Sequence, residues 1–220
     1  MNNGFVGYDK EKVVKLIDDI QSCYDKLYTK LTSDIESKYI VAMGKSWVCP
    51  DAVNFFKSDF LNYIYELITD INNSMISVSE AINSSCEAYA RSCGDIWSRK
   101  NIILKQFQGY VIDGVIKDYD ASLGGQGGSM QNYDNAKSIL SSIKAECANC
   151  TANMANISLQ CGFVGADQQQ KLQSALKSID KKISDDFNQI TTIVDNKVKQ
   201  AIEQYSMVAN KVTSSFQGVE

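Results

Sequence analysis

Apolar residues recur along this chain at steps of three and four, and polar residues fill the positions between them. From Tyr8 to Val41 the apolar positions include Val13, Leu16, Ile20, Cys23, Leu27, Leu31 and Ile35, while Asp18, Asp19, Lys26, Lys30 and Asp34 take the remaining surface. That spacing puts one stripe on one face of a helix. Gly44 is its expected terminator, because glycine accepts the left-handed backbone that ends helices. A longer stripe follows at Phe60, Ile64, Leu67, Ile71, Met75, Val78, Ile82, Cys86, Tyr89 and Cys93, closed by Gly94. Pro50 and Asp51 mark where this second helix begins, since proline loses nothing in a first turn and a carboxylate favours the positive helix end. At ~1.5 Å rise per residue the helices are on the order of 50 and 65 Å long, and the short 44–49 connection makes them antiparallel.

The pattern weakens over 95–128. The stretch "DIWSRKNIILKQFQG" can form another helix, whereas "YVIDGVIKDY" sets Asp113-Gly114 between two Val-Ile or Ile-containing runs, the signal of a small type I′ β-hairpin in the central segment. The run "GGQGG", 124–128, reads as a flexible linker. The helical stripe then returns at Ala136, Ile139, Ile143, Cys147, Cys150, Met154, Ile157 and Cys161, and Gly162 ends it. Asp167 followed by Gln170 gives a capping-box signature for a last helix, which carries Leu172, Leu176, Ile179, Ile183, Phe187, Ile190 and Val194, then Ala201, Tyr205, Val208, Val212 and Phe216.

The two helix pairs share a turn. Trp47-Val48-Cys49-Pro50-Asp51 aligns without a gap with Phe163-Val164-Gly165-Ala166-Asp167, 116 residues later (163 minus 47). Helix, short aromatic turn and longer helix therefore occur twice, as a duplication rather than a solenoid array. The expected organisation is a first helical hairpin over 1–95, a connecting segment over 96–128 and a second hairpin over 129–220. The aromatic plugs the end of each hairpin and the small residue lets the chain reverse.

Composition narrows the chemistry. Hydrophobic residues make up 44% of the 220 residues, enough for a real core. The net charge is −4 with no Lys/Arg cluster, which argues against nucleic acid as a partner. A single proline, Pro50, leaves long helices uninterrupted. There is no histidine, so Ser-His and Cys-His nucleophile pairs and all His-containing metal sites are excluded. The seven cysteines are odd in number and cannot all pair within one chain. Cys147-x-x-Cys150 continues a helical stripe, Cys161 lies roughly 16 Å further along the same helix, and Cys86 and Cys93 are two turns apart. They read as buried, reduced, apolar fillers rather than metal ligands. Asp18-Asp19 and Asp185-Asp186 are adjacent on helices and point apart, so they form no carboxylate dyad. The Gly-rich run lacks the strand before it and the Gly-Lys-Ser/Thr after it that a phosphate loop needs. No catalytic constellation is present, and no enzyme, cofactor or metal is expected. No apolar run approaches the ~20 residues of a membrane span. The start, "MNNGFVGYDKEKVV", has no basic block followed by an apolar one, so the expectation is a chain that is cytoplasmic or exported without a signal peptide.

A helix of thirty-odd residues, an aromatic-x-small turn and a second long helix together resemble the WXG-motif family, the small early-secreted-antigen-like proteins of bacterial type VII secretion. The resemblance covers 1–95 and 120–220, with "WVC" (Trp47, Val48, Cys49) and "FVG" (Phe163, Val164, Gly165) where the family places its Trp-x-Gly. The first copy has Cys49 where glycine is expected, and the second has Phe163 in place of tryptophan. The family's Tyr-x-x-x-Asp/Glu export pattern is absent, since Tyr205 is followed by Ala209 and Tyr89 by Cys93. The resemblance implies an all-α fold in which the two hairpins form a four-helix bundle, a pseudo-dimer in one chain. It implies a non-enzymatic protein that is a secreted factor or pairs with a secreted substrate through its helix faces, or with a second copy of itself, in a Gram-positive bacterium. A different class of function, a long-helix membrane-active or pore-forming toxin subunit, would use 109–123 as its tongue.

Overall fold

The computed structural model of the chain describes residues 7–157 and 161–216. Nearly all of the regular structure is helical, and the long helices fall on the four apolar stripes. A two-residue strand β1 (Gly7–Tyr8) leads into α1 (Lys10–Thr29), which continues through wider π-helical turns over Lys30–Ile40 to α2 (Val41–Met43). After β2 (Trp47–Val48), α3 (Pro50–Phe55) and a π-helical turn (Phe56–Phe60) lead into α4 (Leu61–Cys93). The second half repeats the order: β3 (Gly127–Gly128), α5 (Met130–Ile157), β4 (Phe163–Val164), α6 (Ala166–Val194), a π-helical turn (Asp195–Lys199) and α7 (Gln200–Phe216).

The wide turns have a reason in the spacing. Leu27, Leu31, Ile35 and Tyr39 follow one another at steps of four, which drift around a 3.6-residue helix. A wider turn holds them in line, and all four are buried. Helix starts follow local chemistry. Pro50 occupies the first turn of α3 with Asp51 beside it, and the Asp9 carboxylate caps α1 by accepting from the Lys12 amide at 3.1 Å. Asp167 lies inside the first turn of α6 rather than at its cap, so it acts on the helix dipole and not as a capping box.

The residues gather into two compact units. Unit 1 comprises the described residues of Met1–Leu31, Glu66–Phe107 and Ala145–Asp185, and unit 2 those of Thr32–Tyr65, Gln108–Lys144 and Asp186–Glu220. Each unit thus draws on all three of the segments 1–95, 96–128 and 129–220. In unit 1, β1 pairs antiparallel with β4, Gly7 opposite Val164 and Tyr8 opposite Phe163. In unit 2, β2 pairs antiparallel with β3, Trp47 opposite Gly128 and Val48 opposite Gly127. Gly44 does not take the left-handed backbone expected of it (its φ is −61°). Its missing side chain instead admits the Val115 carbonyl, which stands where a Cβ would be.

The central segment departs from expectation. Residues 95–112 form no helix and no strand, and Trp97, Ile102 and Ile112 among them are buried. In unit 1 side chains of α1 and α4 take up this backbone as a strand partner would. Ile103 exchanges two bonds with the Gln21 carboxamide, at 2.6 and 3.1 Å. The Lys105 amide donates to Tyr24 Oη at 2.8 Å, and its carbonyl accepts from Asn72 Nδ2 at 3.2 Å. Tyr28 Oη donates to the Gln106 carbonyl at 2.8 Å. In unit 2 the Val111 amide donates to Glu36 Oε1 at 2.8 Å. Asp113-Gly114 does make a tight turn, with a bridge between Asp113 and Ile116, but the flanking runs do not pair as strands. A second bridge joins Asp120 to Gly125.

Candidate functional site

The two aromatic turns are built alike, each within its own unit. In unit 2, Trp47, Val48 and Cys49 are all buried. The Ser129 amide, just before α5, donates to the Ser46 carbonyl at 2.9 Å and extends the β2–β3 pairing. In unit 1 the Asp9 amide, just before α1, donates to the Gly162 carbonyl at 2.6 Å, the equivalent bond one residue ahead of Phe163. Each turn is therefore zipped onto the residues that enter the first helix of the other predicted hairpin.

Aromatic packing supports both. The Trp47 ring lies 6.2 Å from Phe55, which meets Phe56 edge-on at 5.3 Å. The series continues to Phe60 and to Tyr39, whose ring is 5.6 Å from that of Phe60. In unit 1, Phe163 sits 6.2 Å from Tyr89, and Tyr89 stacks on Tyr8 at 5.8 Å and 19°. Tyr8 also meets Trp97 edge-on and donates to Asp95 at 3.1 Å. Burial, then this hydrogen bond, raise the Tyr8 pKa, while Asp95 is lowered by the Ile96 amide and by Tyr8.

The third position distinguishes the copies. Gly165 has φ of +143°, a backbone that side-chain-bearing residues avoid. Cys49 has φ of −172° and ψ of 167°, ordinary extended chain. The first turn thus makes no demand for glycine, which accounts for the cysteine there. Its thiol lies beside the Tyr205 hydroxyl, whose pKa is raised by burial and then by Cys49. The second position differs too: Val48 is 3% exposed and Val164 36%. Close approach matters instead at Gly128, where an added Cβ would come within 2.5 Å of Ile202.

Two buried polar atoms in unit 2, the Trp47 indole N–H and the Tyr39 hydroxyl, have no hydrogen-bond partner among the described residues. Near Tyr39 the Tyr133 hydroxyl and Lys137 Nζ both bond the Asp195 carboxylate, Lys137 at 2.7 Å. Burial opposes ionisation of Asp195, but these two bonds outweigh it and hold the carboxyl below its ordinary range. Burial, then the bond to Asp195, push Tyr133 far up.

Six of the seven cysteines are buried and Cys93 is exposed. Cys147 and Cys150 both lie in α5, as the stripe implies. Among the described residues no group of three or more His, Cys, Asp or Glu side chains could hold a metal ion, and no helix is long and apolar enough to cross a membrane. The polar side chains that receive the central segment, above all Asn83 and Ser79, escape a stripe reading. Their one signal in the sequence is that each sits beside a stripe residue, Ile82 or Val78, where a charged surface residue would be usual.

No family model, curated protein or solved structure matches the chain.

Proposed function

We propose that this chain is a non-enzymatic, protein-binding helical protein of the WXG kind. Its two fused hairpins pair with each other as an antiparallel four-helix bundle within one chain. It works in type VII secretion, exported itself or as a helper that pairs with a secreted substrate. One observation carries this reading: the reciprocal zipping of the aromatic turns. Phe163-Val164 pairs with Gly7-Tyr8, which enters the first hairpin, and Trp47-Val48 pairs with Gly127-Gly128, which enters the second. A lone helical hairpin cannot bury both helix faces and needs a second one. Here each hairpin closes the other's end, which is what a dimer of separate hairpins becomes when its members are fused. The partner is then a protein, engaged through helix faces by shape and apolar contact.

The test is done in a Gram-positive strain with an active type VII system. The tagged full-length chain is expected in the culture medium, or in a purified complex with a long-helix secreted substrate, only when the secretion ATPase is functional. Its absence from both, with the protein folded and abundant inside the cell, would overturn the proposal.

A further inference from the structure

Helix α7 belongs to unit 2, and its apolar face is covered only at its start. Val198, in the turn that leads into it, and Ile202 are buried, and beyond them the apolar face loses its cover. Tyr205 lies beside Cys49. Beyond it, Val208 is 59% exposed, Val212 48% and Phe216 73%. These three follow at steps of four, one continuous i±4 ridge of large side chains with no charged residue among them.

Unit 1 carries the inverse surface. A trough of about 400 Å³ runs between α4 and α6. Its floor is apolar, with Val78, Ile82 and Leu172 buried. Its α4 wall is Ser77, Ala81 and Ser85, again at steps of four, and its α6 wall includes Ala175 and Ser178. Small side chains along the α4 wall and at Ala175 and Ser178 leave holes where a packed helix pair would have knobs, while Gln168 and Lys171 line the remainder of the α6 side. Ridges at i±4 set into grooves between i±4 rows are the commonest way two helices pack. Lys171 stands on the α6 wall near the Ser85 end and makes no ion pair among the described residues.

We infer that the trough receives helix α7 of a second copy of this chain, with Val208, Val212 and Phe216 set against Ser77, Ala81 and Ser85. In this direction the carbonyl end of α7 arrives at Lys171, where a cation is favourable. The opposite direction would take that end away from Lys171. The ridge and the wall have the same length, two steps of four, and opposite side-chain size. The contact joins two different surfaces, so it either closes a ring or propagates. Its area is at the small end for protein interfaces, so assembly depends on concentration. The inference stands on α7 and the trough alone, independently of the secretion role.

The test is sedimentation velocity of the full-length protein from low micromolar to several hundred micromolar concentration. The native chain is expected to self-associate. Val212→Asp (or Phe216→Ser) removes the ridge, and Ala81→Trp fills the trough. All three positions are exposed, so circular dichroism is expected to show native helicity. Each variant alone is expected to dissociate at least about tenfold more readily, a change of about 1.4 kcal/mol. Mixed, Val212→Asp and Ala81→Trp each retain the half the other lacks, so the mixture is expected to form a one-to-one pair and stop there. A native chain that is monomeric throughout would overturn the inference. So would native-like association by Ala81→Trp, which means that α7 pairs with another α7, or a mixture that stays monomeric.

Discussion

Asn83 and Trp97 are locked together: the buried indole N–H donates to Asn83 Oδ1 at 2.9 Å. The same oxygen accepts the Lys100 amide at 3.0 Å, and Asn83 Nδ2 donates to the carbonyls of Lys100 and Ser79, both at 2.9 Å. One carboxamide thereby satisfies the central segment where it leaves α4. Asn83→Leu keeps the size but strands these groups. A loss of roughly 3 kcal/mol is expected, since each orphaned buried polar group costs about 1–3 kcal/mol. Urea unfolding followed by Trp97 fluorescence in a Trp47→Phe background measures it; a change below about 1 kcal/mol would mean that water replaces the carboxamide.

Tyr39 and Tyr24 make a matched pair of opposites. Both rings are buried, but the Tyr39 hydroxyl has no partner among the described residues. The Tyr24 hydroxyl donates to Asn72 at 2.9 Å and accepts from the Lys105 amide at 2.8 Å. Removing the hydroxyl is therefore expected to leave Tyr39→Phe unchanged or up to about 1 kcal/mol more stable, and to cost Tyr24→Phe about 1–2 kcal/mol. Thermal melts of the two variants side by side decide it.

The duplicated turns are expected to respond unequally to alanine. Gly165→Ala puts a Cβ on a backbone at φ +143° and is expected to cost about 1–3 kcal/mol. Cys49→Ala changes a residue in extended geometry and is expected to cost under about 1 kcal/mol. Equal effects in denaturant titrations would refute the account given for the cysteine.

Asp195 supplies an acid-sensitive element. Its carboxyl is lowered in the folded state, so its contribution to stability is fully present above the ordinary carboxylate pKa of about 3.9. It is lost as pH falls through the folded value, because protonation breaks the bonds to Lys137 and Tyr133. Asp195→Asn is expected to lower stability at pH 7 and to flatten its decline between pH 5 and pH 2. Melting temperatures across that range read the slope.

Thiol reactivity is expected to separate one cysteine from six. Cys93 is exposed at the end of α4, while burial pushes Cys86 up to about 12 and raises Cys23, Cys150 and Cys161. Thiolates are the reactive form. A disulfide reagent at pH 8 should label one thiol quickly and the rest only on unfolding. Cys93→Ser should abolish the fast phase.

The helices, their order and the repeated turn were legible because they rest on local periodicity: a stripe at steps of three and four is visible within any short window. The central segment was not legible for the opposite reason. Ile103 is read by Gln21, Lys105 by Tyr24 and Gln106 by Tyr28, residues about eighty positions away along the chain. Nothing in "DIWSRKNIILKQFQG" announces that its amides will be met by side chains, so local propensity suggested a helix. Gly44 misled for a related reason. Glycine near a helix end usually signals a left-handed backbone, but this one is small to admit the Val115 carbonyl.

By itself the sequence determined four long amphipathic helices, the absence of histidine chemistry and two aromatic turns of one design. Only the tertiary structure decided what each turn pairs with, Trp47 with Gly128 and Phe163 with Tyr8. It also decided that Cys49 can stand where its counterpart Gly165 must be glycine. The physical reason is that a helix satisfies its own backbone from residues four positions away, whereas a two-residue strand or an irregular segment has to borrow hydrogen bonds from wherever the fold brings them.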